Sequence, residues 1–244
     1  MSQAEAVNYL IQAIRSYDPG LFDHSLGVAN LSLYLGSLLG LQWGEAREVL
    51  FPGAMLHDVG KIYVDKSILY KSGPLSTGEW EVMRRHPEQG ARLLAERKLD
   101  GLLQEIVLYH HERWDGKGYL SVRGESIPFL AQIVALADAI DAMSVDRAYR
   151  KALAPVQVRA EVRRCRGSQF ASCLADALER SGFWPPDTGE EAVVESLLAR
   201  ERQWLARLVE MFGDLRHPLV QAQSRRLDRL VTAYLQSAKA RAPE

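Results

Sequence analysis

The feature of this sequence that most restricts its fold is a histidine–aspartate pair at the end of an apolar run. The run from Val49 to Leu56 leads directly into His57 and Asp58, and Gly60 follows at the distance expected of a helix C-cap. Neighbouring side chains on a helix diverge by about 100°, so the pair can face one site only where the helix ends or where two metal ions share it. A carboxylate beside an imidazole suits a ligand that bridges two cations. Lys61, close behind, would then direct a positive charge at an anion held there.

Further polar residues of the same kind lie at predicted helix ends. The apolar run from Leu130 to Ala142 contains two acids, Asp138 and Asp141, which must be paired or bound to metal because a buried unpaired carboxylate is too costly. Five of the six histidines precede residue 112 at helix ends or starts: His24, His57, His86, His110 and His111. Any one of these histidines alone would more often have a structural role. For the whole set at these helix ends, a structural role is not the favoured interpretation. With Asp58 and Asp138, it matches an octahedral two-metal site better than zinc.

The remaining pattern predicts an all-α protein. Sustained period-2 alternation is absent and β-branched residues are sparse, whereas several segments repeat apolar residues with helical spacing. Ser76 and Glu79 form a capping-box pattern, Asp23 is a plausible N-cap before His24, and a helix is expected over about residues 43–56. The uncharged stretch 25–44 contains glycine, serine and asparagine, so it is interpreted as a core helix rather than a membrane span.

Composition narrows the class of protein. Lys+Arg is 30 and Asp+Glu is 31, so the formal net charge of -1 gives no basic bias that would favour nucleic-acid binding. The N-terminal residues lack the basic region and continuous apolar core of a signal peptide. Cys165 and Cys173 lack metal-type spacing and are expected to be reduced thiols. The sequence therefore predicts a cytoplasmic protein.

Four ordered motifs between about residues 18 and 180 resemble those of the HD-GYP family, an all-α subgroup of the HD phosphohydrolases that hydrolyse cyclic di-GMP. The motifs are His57-Asp58-x-Gly60-Lys61, His86-Pro87-x-x-Gly90, His110-His111-Glu112-x-x-Asp115-Gly116-x-Gly118-Tyr119 and Ala137-Asp138-x-x-Asp141-Ala142. The resemblance implies an HD-type helical bundle with a di-metal site. It also implies a phosphodiesterase in which a hydroxide between the two metals attacks phosphorus.

The resemblance further implies the roles of individual residues. Asp58 would bridge two divalent transition-metal ions, for which iron and manganese are equally suitable. Lys61 would contact the scissile phosphate, Tyr119 would lie in the substrate loop, and Arg147 and Arg150 would hold the phosphates of the ligand. The implied metal ligands are His24, His57, Asp58, His86, His110, His111 and Asp138.

The sequence departs from the family pattern at several positions. Leu120 replaces the proline of the Gly-Tyr-Pro motif, and the loop before Gly124 is one residue shorter than usual. Gln132 replaces a common arginine, and Ala148 a common proline. Gly20 stands where some members have a glutamate that completes a third metal site, so two metals are expected. These departures affect the expected substrate preference more than the chemistry, because every implied metal ligand is present.

The composition changes after Pro185-Pro186-Asp187, which predicts a boundary between a metal-dependent phosphohydrolase domain over 1–186 and a helical hairpin over 187–244. Two amphipathic helices with a short joint form an αα-hairpin, and His217 before Pro218 is expected to be a cap. The segment 224–228 is similar to the sporulation aspartyl-phosphate phosphatases, but Arg225 and Arg226 replace their Gln-Glu pair. An interaction module, for self-association or for a response regulator, is preferred over a second active site.

Two other functions remain open. The first domain could bind cyclic di-GMP without useful turnover, as an adaptor whose hairpin passes the signal to a partner. It could also be a phosphohydrolase for another nucleotide. The complete ligand set and Lys61 favour an enzyme over the adaptor.

Overall fold

The structure is a computed structural model that describes residues 2–42, 44, 46–145, 151–185 and 190–241. These residues form α-helices and no named strand, which confirms the all-α prediction. The chain divides into two compact units, Met1–Phe183 and Trp184–Glu244. In the first unit the helices are α1 (Gln3–Tyr17), α2 (Pro19–Leu38), α3 (Phe51–Leu56), α4 (Lys66–Leu69), α5 (Thr77–Arg84), α6 (His86–Glu96), α7 (Gly101–Tyr109), α8 (Phe129–Ser144), α9 (Pro155–Arg164) and α10 (Ser172–Arg180).

Helix α2 is the central element of the first unit. It packs against α1, α3 and α8, and it buries most of its residues, including the polar side chains of Ser25 and Ser32. This confirms that the uncharged stretch is a core helix. None of the described helices qualifies as a membrane span. Cys165 and Cys173 are both free, as expected.

The start of α2 differs from the prediction. Asp18, not Asp23, is the N-cap, and its carboxylate accepts a hydrogen bond of 2.7 Å from the backbone N–H of Gly20. Pro19 occupies the first turn, where its fixed φ and missing N–H suit a helix start. Asp23 therefore lies inside the helix, and His24 is one turn further in than expected. The capping box of Ser76 and Glu79 is confirmed, with both reciprocal hydrogen bonds present.

The predicted helix over 43–56 is not continuous α-helix in its described part. A π-helical turn at Ala46–Leu50 precedes α3, and Pro52 lies in the first turn of α3. Because proline has no N–H to donate to a preceding carbonyl, the regular hydrogen-bond pattern is interrupted just before it. Helix α3 then ends at Leu56, so His57 and Asp58 leave the helix end together.

A short 3₁₀ turn at Val59–Tyr63 connects this helix end to the neighbouring pair α6 and α7. The turn packs directly on α6, and a Cβ built at Gly60 would lie 1.9 Å from the carbonyl oxygen of His86. Only glycine permits this backbone contact. The close approach brings Asp58 and Lys61 next to the start of α6, where His86 begins the helix.

The second unit is an antiparallel helical hairpin of α11 (Glu190–Phe212) and α12 (Pro218–Arg241), which pack on each other. Its buried residues include two polar side chains, Glu201 and Gln223. The Gln223 side-chain amide donates hydrogen bonds to the Glu201 carboxylate at 2.7 Å and to the Glu201 carbonyl at 3.3 Å. At the joint, Nδ1 of His217 accepts a hydrogen bond of 3.3 Å from the N–H of Leu219, so the prediction that His217 is a cap is confirmed.

Candidate metal centre

Three of the predicted histidines lie at helix ends and are oriented in the same way. The last carbonyl groups of a helix lack a donor within the helix, and in each case the imidazole provides one. Its Nδ1 lies 2.7–2.8 Å from the carbonyl oxygen three residues earlier. The pairs are His57 with Ala54, His86 with Met83, and His110 with Val107. When Nδ1 carries the proton, Nε2 is left with a lone pair, which is the form that binds metals.

Asp58 lies at the centre of the cluster and is almost completely buried. Its Oδ1 is 3.1 Å from Nε2 of His86 and 3.7 Å from Nε2 of His110. Its Oδ2 is 3.3 Å from Nε2 of His57 and 3.9 Å from Nε2 of His24. The two oxygens of one carboxylate therefore face two different sets of imidazoles.

Two groups of potential ligands share this carboxylate. In each group the donor atoms lie within 4.8 Å of one another. One group consists of Asp58, His86, His110 and His111, and the other of His24, His57 and Asp58. Asp138 adjoins the second group, because its Oδ1 is 3.0 Å from Nε2 of His24. The structure thus brings all seven predicted ligands into one cluster.

His24 is oriented by a residue that the sequence reasoning did not assign to the site. Its Nδ1 lies 2.7 Å from Oδ2 of Asp141, which is 5% exposed and one helical turn beyond Asp138 on α8. This carboxylate has the same role as the backbone carbonyls that orient the other histidines. The i, i+3 spacing of two acids in an apolar helix was the available signal, since it places both on one face.

Three ligands of the cluster, His110, His111 and Asp58, have the protonation state that metal binding requires. Burial lowers the pKa of His110 to about 4, and burial also lowers the pKa of His111 well below its ordinary value. Burial alone would raise the pKa of Asp58, but the ammonium of Lys61 and the His57 ring hold it well below its usual range. The neutral imidazoles of His110 and His111 and the ionised carboxylate of Asp58 are therefore in place before any cation binds.

The pKa of His24 is shifted in the opposite direction, upward. Burial opposes its protonation, but hydrogen bonds with Asp138 and Asp141 raise the pKa of His24 to about 9. A proton thus occupies the space between this imidazole and the neighbouring carboxylates in the metal-free protein. A cation that binds His24 would displace this proton, as is usual when ligands must be deprotonated.

Unpaired buried atoms in the cluster indicate that this set of donors suits divalent metal ions. Asp58 Oδ1 and His57 Nε2 are buried and make no well-aligned hydrogen bond with the described residues, although Oδ1 is 3.1 Å from Nε2 of His86 and His57 Nε2 is 3.3 Å from Asp58 Oδ2. Buried polar atoms almost always have a partner, so two such atoms at the centre of an imidazole and carboxylate cluster indicate a missing one. A mixed nitrogen and oxygen set suits first-row transition metals.

Two of the four predicted substrate-contacting residues, Lys61 and Tyr119, lie beside this cluster. The ammonium of Lys61 is 2.5 Å from Oδ2 of Asp58. The Tyr119 ring is centred 4.6 Å from the His111 ring, and the exposed Trp80 ring meets the Tyr119 ring edge-on at 6.0 Å. Burial and the negative charges of Asp58 and Asp138 raise the pKa of Tyr119 to about 12, so its hydroxyl is neutral. The predicted contacts Arg147 and Arg150 lie outside the described residues.

Glu112 is a second residue that the sequence reasoning left without a role. Its carboxylate is buried and accepts hydrogen bonds of 2.7 Å from the backbone N–H groups of Leu120 and Val122. The signal was its position directly after the two histidines, where an acid follows an apolar helix. The loop that carries Tyr119 is therefore attached to the chain segment that carries His110 and His111.

The helical fold and this cluster together define a class of protein: an all-α protein with two groups of potential metal ligands that share one aspartate. A family model described as "HD domain" matches residues 21–143, and the chain belongs to the HD domain family. A Bdellovibrio bacteriovorus structure described as an HDG"Y"P protein shares the fold, with a TM-score of 0.56, 20% identity, and coverage of 72% of this chain and 60% of that one.

Curated relatives match over the same region. The chain is 35% identical over 177 residues to a protein of Vibrio cholerae named "3'3'-cGAMP-specific phosphodiesterase 2". The match covers 71% of this chain and 34% of that protein. It is 36% identical over 181 residues to "Cyclic di-GMP phosphodiesterase response regulator RpfG" of Xanthomonas campestris pv. campestris. This match covers 73% of this chain and 48% of that protein. The chain thus spans between a third and a half of the length of these two relatives.

Proposed function

We propose that residues 1–186 form a metal-dependent phosphodiesterase that hydrolyses cyclic di-GMP. The observation that carries this proposal is the position of Asp58, whose two oxygens face two different sets of imidazoles while the Lys61 ammonium lies beside one of them. This arrangement supports two metal positions next to a fixed positive charge. The names of the relatives, which include cyclic di-GMP phosphodiesterases, support the choice of substrate.

In this proposal the ligands divide between two divalent transition-metal ions. His86, His110 and His111 would hold one ion, His24, His57 and Asp138 would hold the other, and Asp58 would be shared by both groups. Iron or manganese is expected, because the set mixes imidazoles with carboxylates and contains no thiolate. Bound there, such ions supply the Lewis acidity that phosphodiester hydrolysis needs at neutral pH.

The side chains of the protein provide the remaining functions. Lys61 neutralises charge that develops on the phosphoryl oxygens, which is the kind of stabilisation that acts mainly in the transition state. Tyr119, neutral and next to His111, forms one wall of the substrate site. Arg147 and Arg150 bind the ligand's phosphates through the planar fork of the guanidinium group. Together these groups recognise a dianionic cyclic dinucleotide.

A second candidate substrate is 3'3'-cGAMP. The relative from Vibrio cholerae that matches over 177 residues is named as specific for this molecule. Both candidates are cyclic dinucleotides with two phosphodiester bonds and differ in one nucleobase, so the same metal centre serves either. The base-recognising surface around Tyr119, where Leu120 replaces the family's proline, would set the preference.

The decisive experiment incubates protein reconstituted anaerobically with iron(II) or manganese(II) with cyclic di-GMP and, separately, with 3'3'-cGAMP. Chromatography of the products then shows a linear dinucleotide or mononucleotides. We expect hydrolysis of at least one substrate, with none by Asp58→Asn. Tight binding without turnover in the wild type would instead support the adaptor function, and hydrolysis only of an unrelated nucleotide would support the other alternative.

We further propose that residues 187–244 are an interaction module in a cytoplasmic protein. The exposed position of Asp228 and the partial burial of Leu227 and Leu230 on α12 support a packing role for this face over a second active site. The partner is either a second copy of the chain or a response regulator. Mass measurement by light scattering of the wild type and of Leu230→Asp tests the first option: a change from dimer to monomer supports self-association.

A further inference from the structure

The loop that carries Tyr119 is held by one buried carboxylate. Glu112 is 4% exposed, and its two oxygens accept hydrogen bonds of 2.7 Å each from the N–H groups of Leu120 and Val122. Ser121, between them, has φ of 61°, a left-handed conformation that non-glycine residues adopt only under constraint. This turn points both N–H groups at the same side chain.

Contacts on either side of the turn limit the loop further. A Cβ built at Gly118 would lie 2.6 Å from the Cα of Glu112, so the loop backbone rests directly on the residue that binds it. On the outer side, the Arg84 guanidinium donates a hydrogen bond to the carbonyl of Tyr119 and lies 5.4 Å from the centre of its ring. These contacts hold the loop backbone at Tyr119 on both sides, next to the position where its ring contacts His111.

We propose that Glu112 is a positioning residue for substrate binding: by binding the N–H groups of Leu120 and Val122, it fixes the Tyr119 ring beside the metal cluster. The inference rests on the proposed function and adds to it a residue that touches neither the metals nor the substrate. The carboxylate is suited to this role because a charged acceptor makes stronger hydrogen bonds than a neutral one. It can also serve two donors at once.

This role also explains how the loop tolerates leucine at position 120. A proline there has no N–H, so it could not make the 2.7 Å hydrogen bond that Leu120 makes with Glu112. A proline ring restricts the backbone by itself, whereas leucine does not. In this chain the additional hydrogen bond replaces that restriction, and the loop depends more strongly on Glu112.

The first test is made without substrate. Glu112→Gln removes the charge and one acceptor while keeping the shape, and Glu125→Gln makes the same change at an exposed residue of the next turn. Hydrogen exchange of residues 117–123, followed by mass spectrometry, should be about tenfold faster in Glu112→Gln and unchanged in Glu125→Gln. Unchanged exchange in Glu112→Gln would overturn the inference.

The second test separates positioning from stability. With metal content and melting temperature close to wild type, Glu112→Gln should raise KM for the hydrolysed cyclic dinucleotide by about tenfold and leave kcat within about twofold, because the lost contact holds a binding wall. A variant that loses metal in proportion to activity would show that Glu112 supports the cluster instead. If the wild type hydrolyses no cyclic dinucleotide, the proposed function fails, and the exchange result alone decides whether Glu112 holds the loop.

The third test combines substitutions at position 120 with Glu112→Gln. Leu120→Pro removes the N–H and adds the restriction of the proline ring, whereas Leu120→Ala removes only the side chain and keeps the hydrogen bond. Glu112→Gln should change KM less in the Leu120→Pro background than in the Leu120→Ala background, since half of the contact is already absent there. Equal changes in the two backgrounds would contradict the role of the Leu120 N–H.

Discussion

Each unit of the molecule buries a cluster of polar side chains, and the two clusters differ in whether the protein itself satisfies them. In the hairpin, the buried Gln223 amide donates two hydrogen bonds to Glu201, and Nε of Arg226 lies 3.4 Å from the Glu201 carboxylate. In the first unit, Asp58 Oδ1 and His57 Nε2 are equally buried but make no well-aligned hydrogen bond with the described residues. One cluster is complete, whereas the other lacks something that a cation would provide.

The difference distinguishes a structural cluster from a functional one. A buried polar group without a partner costs about 1–3 kcal/mol, and more when it is charged, so such groups persist where a ligand compensates for them. A cluster with internal partners can be replaced by apolar residues of similar size at little cost. Burial of charge therefore does not identify a site by itself. The gathering of four imidazole Nε2 atoms around one buried carboxylate does.

The largest expected effect is that of removing the shared carboxylate. Asp58→Ala should abolish both hydrolysis and the binding of both metal ions, because each of the two ligand groups loses a member. Elemental analysis and product chromatography on the same preparation check this. The matched variant Asp65→Ala removes an exposed carboxylate that only caps α4, and it should leave metal content and activity unchanged. An Asp58→Ala protein that keeps two metals would show that neither ligand group depends on Asp58.

Lys61 should show a different pattern. Lys61→Ala should retain both metals and lose about a hundredfold or more in kcat, because its charge acts chiefly in the transition state. Lys66→Ala, an exposed lysine on the neighbouring helix, is the control. Activity of Lys61→Ala equal to that of wild type, at full metal content, would show that the assigned role is wrong.

Metal removal should affect the two units unequally. Chelation should lower the melting temperature of the first unit, since a ligand present at a hundred times its Kd stabilises the folded state by about 2.7 kcal/mol. Hydrogen exchange should accelerate around His57, His86 and His110 and remain unchanged in α11 and α12. The same acceleration in the hairpin would mean that its cluster also depends on the metal.

The hairpin cluster should respond as a structural one. Glu201→Leu removes a partner of Gln223 and should lower the free energy of unfolding of the hairpin by about 1–3 kcal/mol. The double variant Glu201→Leu/Gln223→Leu should recover much of this loss, because both partners become apolar. Urea dependence of hydrogen exchange in α11 and α12 checks both. A double variant less stable than the single one would show that these groups are not a self-contained pair.

The smallest effect is expected at Asp228, which is exposed on α12. Asp228→Ala should change neither melting temperature nor mass, and it should leave cyclic dinucleotide hydrolysis intact, because loss of a solvated carboxylate costs little. Loss of a phospho-aspartyl phosphatase activity in this variant, with unchanged mass and melting, would favour a second active site in the hairpin.

Much of this comparison follows from sequence patterns, and the remainder shows what such patterns lack. Helical periodicity predicted the all-α fold and the core helix α2, and the position of His57 and Asp58 after an apolar run predicted that both leave a helix end. The predicted N-cap of α2, Asp23, was wrong. The helix starts about one turn earlier, at Asp18-Pro19, and the pattern of apolar residues gives no signal for a start at that point.

The roles of Asp141 and Glu112 required the structure. Asp141 binds His24 across 117 residues of sequence, and Glu112 binds backbone N–H groups, so the sequence can mark both acids as candidates but cannot identify their partners. The division of the imidazoles between the two oxygens of Asp58 likewise depends on how α3, α6, α7 and α8 pack. Arg147 and Arg150 stay predictions from the resemblance, since they lie outside the described residues.

The number of metal ions per chain decides whether the cluster around Asp58 holds two ions. Protein prepared anaerobically with iron and manganese supplied should contain about two transition-metal ions per chain, because the seven clustered donors exceed the six positions of one octahedral ion. His24→Ala should reduce this number to about one, since it removes a ligand from only one of the two groups. A wild-type protein that binds a single zinc ion or no metal under these conditions would contradict the account.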